Sequence, residues 1–237
     1  MSGHSKWATT KRAKAVVDAK RGAAFTKVAK IIAIAARGGG DPETNFQLRI
    51  AVEKARAVNM PKDNIERAIK RGTGESGGAA IEELVYEAMG PAQSQFIVKC
   101  LTDSRNRTAA NVRHIFDKHN GSMSSVMWNF DQKGVIIISA EEAKKVDWDD
   151  LEMSLIDAGV DDIINEEAGV TIYTAMADLQ KIKQLLESKH IVTEAADIEY
   201  VAKEKIELSA NDSEKVEKLI DALDDCEDVS DYYTNLK

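Results

Sequence analysis

Cysteine is scarce in this chain. The two among 237 residues, Cys100 and Cys226, lie far apart, with no partner at ligand spacing. That argues against a disulfide framework and a cysteine-based metal site, and it fits a reducing compartment. Long apolar runs are missing too: the best, around Ile31–Ala36, falls well short of the roughly 18–20 residues a membrane-spanning helix needs. The amino end lacks the apolar core and small-residue cleavage site of a signal peptide. It is basic, as a transit peptide would be, but Trp7 and the basic residues run straight into the helical pattern that follows. The expectation is a cytoplasmic protein with no membrane partner. A catalytic constellation is also lacking. His114 and His119 are five apart, which on a helix turns them to different faces and spoils the i, i+4 metal spacing. His190 is isolated, and His4 sits beside Lys6, where a phosphate or base contact suits it better than proton transfer. The acids Asp147, Asp149, Asp150, Asp161, Asp162, Glu166 and Glu167 read as a solvated face, as do Asp224, Asp225, Glu227 and Asp228. No enzyme activity, cofactor or metal is expected.

What is present is a steep segregation of charge. Residues 1–75 hold 16 Lys and Arg against 7 Asp and Glu, net +9; the remaining 162 hold 16 against 33, net −17, and the two sum to the formal −8 of the chain. Within Ser2–Arg37 the imbalance is sharper: Lys6, Lys11, Arg12, Lys14, Lys20, Arg21, Lys27, Lys30 and Arg37 face one acid, Asp18. A positive head on a negative body points to a polyanion as partner, because each phosphate neutralised releases condensed counterions. Lys62, Arg67, Lys70 and Arg71 extend the basic set. Trp7 either stacks on an unpaired base or anchors the basic arm to a core.

Periodicity predicts three helices in the head. Phe25, Val28, Ala29, Ile32 and Ala36 fall on one face of a helix over 24–36, with Lys27, Lys30 and Arg37 opposite, and Gly38-Gly39-Gly40-Asp41-Pro42 stops it. A second helix over about 44–58 buries Phe46, Ile50, Val52 or Ala51, and Ala55. A third follows Pro61, with Ile65, Ala68 and Ile69 as its apolar side and Gly72 as its stop. Beyond a Gly-rich hinge, strands are expected at 83–87, 95–101 and 126–130 around a helix at 108–119. Then strand 134–139, helix 149–158, strands 161–166 and 169–174, helix 176–188 and strand 191–198 spell the split β-α-β-β-α-β pattern. Strand 200–208, helix 211–224 and strand 229–234 supply a second α-β half to the region before residue 133. The fold class is therefore α+β: a three-helix bundle at residues 1–75, then two ferredoxin-like α/β domains. One is discontinuous, built from 79–133 plus 201–237, and the other, 134–200, is inserted into it.

Several stretches carry a family resemblance. Gly3-His4-Ser5-Lys6-Trp7, Asp18-Ala19-Lys20-Arg21-Gly22, Phe25-Thr26-Lys27, Gly39-Gly40-Asp41-Pro42 and the run Asn59–Gly72 closely resemble the YebC/PmpR family, over essentially the whole chain. Ala23 replaces a lysine expected in many members, and the loop between Gly121 and Val126 is shorter than in many. The resemblance implies the same three-domain arrangement. It implies a DNA-binding transcriptional regulator or, from the mitochondrial translational activators in the family, a translation factor on ribosomal RNA or tRNA that aids synthesis of proline-rich stretches. A protein-interaction scaffold is the alternative from another class, and the acidic domains are candidates for docking a protein partner. Lysine and alanine predominate where a recognition helix would carry Asn, Gln and Arg, which suits gripping a backbone more than reading bases.

Two further motifs bear on the site. Gly72-Thr73-Gly74-Glu75-Ser76-Gly77 matches G-x-G-x-x-G, but it follows a basic helix and places Glu75 where a pyrophosphate would sit, so it reads as a hinge. Thr102–Thr108 brings Arg105 and Arg107, with Arg113 a turn or so later, to the start of a helix. They are either an auxiliary phosphate contact or arginines paired with local acids.

Overall fold

The structure is a computed structural model that describes residues 21–77 and 79–237. Three helices open it: α1 (Arg21–Ala35), continued by a 3-10 turn at Ala36–Gly38, α2 (Phe46–Ala57) and α3 (Lys62–Gly72). Their apolar stripes meet as periodicity requires, with Ile32 and Ala36 packed on Leu48, Ala51, Val52 and Ala55 and on Ile65 and Ala68. Asn45 sets the turn into α2. Its Oδ1 accepts the Leu48 N–H at 3.1 Å, while its Nδ2 donates to the Ala35 and Gly39 carbonyls at 2.7 and 2.8 Å, so one side chain caps one helix and ties off another.

Two expectations for the head are corrected and one holds. Phe46, expected in the core, is 48% exposed. The buried stripe of α2 starts at Leu48, about 200° around the helix from Phe46. Gly72 is the last residue of α3, as expected, and α1 and α3 approach closely there: a Cβ on Gly72 would sit 2.2 Å from the Ala33 carbonyl oxygen. Finally, α1 is covered on two sides. Its Ala33, with Ile31 and Ile34, packs on Ile81 and Leu101 of the first sheet domain.

That domain holds β1 (Glu82–Met89), β2 (Gln95–Thr102), α4 (Arg105–Lys118) and the short β3 (Ser122–Met123). A second sheet domain follows, with β4 (Phe130–Ser139), the one-turn α5 (Ala140–Ala143), α6 (Trp148–Ala158), β5 (Val160–Glu166), β6 (Gly169–Thr174), α7 (Leu179–Ser188) and β7 (Ala195–Ala202). The chain then returns to the first with α8 (Ala210–Asp224) and β8 (Val229–Thr234). The sheets are antiparallel, ordered β3-β1-β2-β8 and β5-β6-β4-β7. The second order, with its β-α-β-β-α-β connectivity, is ferredoxin-like. The first sheet is entered through a hairpin of its two central strands instead. By compactness the chain forms two units, residues up to Val126 with Lys205–Lys237, and Met127–Glu204.

Strand β2 is buried on both faces, as its unbroken apolar run predicts. Phe96, Val98 and Cys100 meet Val112 and Phe116 of α4 and Val216, Leu219 and Leu223 of α8. The Phe96 and Phe116 rings meet edge to face at 5.5 Å. Burial pushes the Cys100 thiol up to about 12, so it stays protonated. In the second unit Ile136 and Ile138 of β4 pack on Leu151 and Leu155 of α6 and on Ile182 and Leu186 of α7.

The strands expected at 126–130 and 200–208 do not form. Met127–Asn129 is a 3-10 turn and β4 begins at Phe130. Strand β7 ends at Ala202 because Asn129, 1% exposed, takes over the next backbone groups. Its Oδ1 accepts the Glu204 N–H at 2.8 Å, its Nδ2 donates to the Glu204 carbonyl at 3.0 Å, and its own carbonyl accepts the Lys203 N–H at 2.8 Å. The short β3 formed in the loop after Gly121, where no strand was expected.

Candidate nucleic-acid interface

The basic residues of the head divide by the direction they face. On α1, Lys27 and Lys30 are turned towards the first sheet domain. The Lys27 ammonium donates to the Asp224 carbonyl at 2.7 Å, and its burial, only partly offset by nearby acids, lowers its pKa. The Lys30 ammonium donates to Asp228 Oδ1 at 2.7 Å and to the Glu227 carbonyl at 2.9 Å, with the two side chains 12% and 5% exposed. Just past the helix, Arg37 donates to the Ile81 carbonyl.

Asp228 is the centre of this contact. Besides Lys30 it accepts from Thr108 Oγ1 at 2.8 Å and from Arg107 at 3.2–3.4 Å. Burial opposes its ionisation, but the bonds from Lys30, Arg107 and Thr108 outweigh that and hold the carboxyl below its ordinary value. Arg107 reaches on to Asp103 at 3.0 Å, and Asp103 accepts from Arg71 of α3 at 2.9 Å. Hydrogen bonds from Arg71 and Arg107 hold the Asp103 carboxyl low despite partial desolvation. A chain of alternating charge thus runs Lys30–Asp228–Arg107–Asp103–Arg71, joining α1 and α3 to the start of α4 and the turn before β8. Arg105 pairs with Glu82 at the rim. Arg113 is exposed and makes no ion pair among the described residues.

The outer sides of α2 and α3 differ. Lys62 is exposed and only loosely paired with Glu66, at 3.6 Å, a surface i, i+4 contact worth a few tenths of a kcal/mol. Arg67 is exposed and donates to the neutral Asn64 Oδ1 at 3.0 Å. Lys70 is exposed, with no ion pair among the described residues. The same holds for Arg56 in the last turn of α2, a residue that sequence reasoning passed over. Its signal was the basic last turn that complements a helix dipole, which hides an exposed cation inside an ordinary helix-ending pattern. A cleft of ≈ 420 Å³ opens beside these charges, lined by Phe25, Ala29, Met60, Asn64, Arg67, Arg71 and neighbours.

Of the residues expected to touch nucleic acid, the structure gathers Arg67, Lys70 and Arg71 on α3 and sets Lys30 at the back of the cleft. It does not bring Arg105 or Arg107 into that group as free cations. His4, Lys6, Trp7, Lys11, Arg12, Lys14 and Lys20 lie outside the described residues. Arg21 begins α1. No helix among the described residues is long and apolar enough to cross a membrane.

With the geometry in view, comparison with known proteins is direct. Residues 5–75 match the TACO1/YebC protein N-terminal domain, and residues 81–236 match the TACO1/YebC second and third domain. A probable transcriptional regulatory protein of Thermoanaerobacter pseudethanolicus is 48% identical over 241 aligned positions, covering 100% of this chain and 97% of its own length. One from Caldanaerobacter subterraneus is 46% identical, covering 100% and 98%. The crystal structure of a conserved hypothetical protein from Aquifex aeolicus superimposes with a TM-score of 0.79 at 38% identity, covering 93% of this chain and 92% of that one.

Proposed function

The chain belongs to the TACO1/YebC family, and on that premise we propose that it is a non-enzymatic regulator of gene expression that grips nucleic acid with its helical head. The naming of its relatives as probable transcriptional regulatory proteins supports a regulatory role. The observation that carries the nucleic-acid reading is the polarity of charge, net +9 in residues 1–75 against net −17 in the rest, combined with outward cations on α2 and α3. Arg56, Arg67 and Lys70 contribute from the described surface, with Lys6, Lys11, Arg12, Lys14 and Lys20 from the amino-terminal arm. The acidic domains repel stray polyanion and confine contact to one side, or dock a protein partner. The first target class is DNA, consistent with the naming of the relatives as probable transcriptional regulatory proteins. Ribosomal RNA or tRNA is the second, favoured by the lysine- and alanine-rich head, which grips phosphates without a clear set of base-reading side chains.

The two cations on the inner side of α1 are poor choices for a test, since replacing Lys27 or Lys30 disturbs the contact with the first sheet domain. The discriminating variant is Lys11→Glu/Lys14→Glu/Arg67→Glu/Lys70→Glu. Binding of a duplex DNA and of a structured RNA is measured against salt. If about five phosphates are contacted, log K of the unaltered protein falls against log salt with a slope near −4 to −5 on duplex DNA. The variant loses binding and flattens the slope. Equal binding by both proteins, or no binding of either nucleic acid at about 50 mM salt, overturns the reading. Crosslinking in cells followed by sequencing then separates promoter DNA from ribosomal RNA.

A further inference from the structure

The cleft between α1 and α3 has a composition that a plain phosphate grip does not need. Phe25, Ala29, Met60 and Ala68 give it an apolar lining, and among the described residues no Asp or Glu lines it, in a chain with 40 acids. Three cations line it, but they are not equivalent. Lys30 already holds Asp228 and Arg71 already holds Asp103. Among the described residues Arg67 is bonded only to the neutral Asn64 amide, so no carboxylate there holds its charge. Among the described residues Asn64 Oδ1 accepts only from Arg67 and its Nδ2 donates no hydrogen bond, so the rim offers both acceptor and donor groups beside the guanidinium.

We propose that this cleft is a binding site for one unpaired nucleotide: the base lies on the Phe25–Met60–Ala68 floor with its edge at Asn64, and its phosphate meets Arg67. The proposal rests on the nucleic-acid reading above and narrows it. An apolar floor bearing an aromatic ring attracts a base only through its π-face, which a base pair inside a duplex stack does not expose. The size, ≈ 420 Å³, lies within the range of small-molecule sites and suits a single nucleotide. Asn64 supplies the hydrogen bonds to a base edge that the lysine-rich surface otherwise lacks. Single-stranded RNA and single-stranded DNA share this chemistry, and the test separates them.

The full-length protein is titrated by fluorescence anisotropy with a 12-nucleotide single strand of mixed sequence, as RNA and as DNA, and with the corresponding 12-base-pair DNA duplex. Ser76→Trp fills the mouth of the cleft from an exposed loop position without altering charge, and Asn64→Ala removes the base-edge contact. Ser76→Trp weakens single-strand binding about tenfold and Asn64→Ala about threefold, while duplex binding by either variant stays within twofold of the unaltered protein. Loss with the RNA strand alone identifies RNA as the source of the nucleotide, and loss with the DNA strand alone identifies DNA. If the unaltered protein binds single strands but neither variant changes that binding, the cleft proposal is overturned and the grip stands. Parallel loss on single strand and duplex overturns it too, since the cleft then serves backbone contact alone. If the unaltered protein binds none of the three, the nucleic-acid reading fails first. Circular dichroism melting confirms folding, and should Ser76→Trp melt early, Asn64→Ala decides.

Discussion

Helices α1 and α3 look alike as sequence and act as opposites. Each pairs an apolar stripe with lysines and arginines, and each lies in the basic head. On α1 the ammonium groups of Lys27 and Lys30 are spent on the Asp224 carbonyl and on Asp228, in contacts that fasten the helix to the first sheet domain. On α3, Arg67 and Lys70 face solvent, Lys62 is loosely paired with Glu66 at the surface, and Arg71 is drawn into a pair with Asp103. A basic helix is thus not one kind of object. The same residue type stabilises the fold when a carboxylate or carbonyl awaits it, and presents a field to a ligand when none does. The difference also shows why the charge on the head is not a simple sum: cations already holding acids release few counterions when a polyanion arrives.

The comparison is broken most sharply at Asp228. Asp228→Ala leaves the largely covered Lys30, and Arg107 and Thr108 with it, without the shared carboxylate and is expected to cost about 3 kcal/mol of unfolding free energy. Lys70→Ala, on the outer side of α3, stays within about 0.5 kcal/mol. Urea unfolding of both measures the gap, and equal effects would erase the distinction between the two helices. A smaller effect is expected where the helices touch. Gly72→Ala puts a methyl 2.2 Å from the Ala33 carbonyl. The overpacking, about 1–3 kcal/mol, exceeds the gain of up to about 1 kcal/mol in helix propensity, so the midpoint falls in the same assay.

The smallest effect is pH-dependent. The Asp228 carboxyl is held below its ordinary value in the folded protein. The stability it contributes is present above the unfolded carboxyl value of about 3.9 and is lost as pH falls through its folded value. Urea midpoints taken from pH 6 down to pH 3 should therefore decline, and Lys30→Met, which removes one of the bonds favouring the carboxylate, should shallow that decline. Asp103 adds little, since it lies nearer solvent, where screening weakens the pairing. An unchanged acid limb in Lys30→Met would mean that Arg107 and Thr108 suffice to hold Asp228.

Much of the fold was legible because its signals are local. The stripe Phe25–Val28–Ile32–Ala36 marks a helix wherever it is written, and the run Phe96–Ile97–Val98 marks a strand covered on both faces. The inserted β-α-β-β-α-β unit could be read from the order of such segments. The misreadings share a cause. Phe46 looked like core because hydrophobicity was counted without knowing on which side of α2 the neighbours lie. Strand 200–208 failed because Asn129, about 75 positions upstream, satisfies the backbone of Lys203 and Glu204. Gly72 was legible as the end of α3, but its closeness to Ala33 leaves no mark in local pattern. At the candidate site, the concentration of cations was legible from charge density alone, whereas the exposure of Arg56 and the cleft beside Asn64 were not.

Composition and spacing by themselves determined that this protein has a cationic helical head and an anionic α+β body, since net charge and periodicity are properties of the chain before it folds. Tertiary structure alone decided which cations remain open. Lys30 and Asp228 stand 198 positions apart and meet at 2.7 Å, and such a meeting depends on how helices and sheets pack, because Coulomb attraction and desolvation act through distance in space.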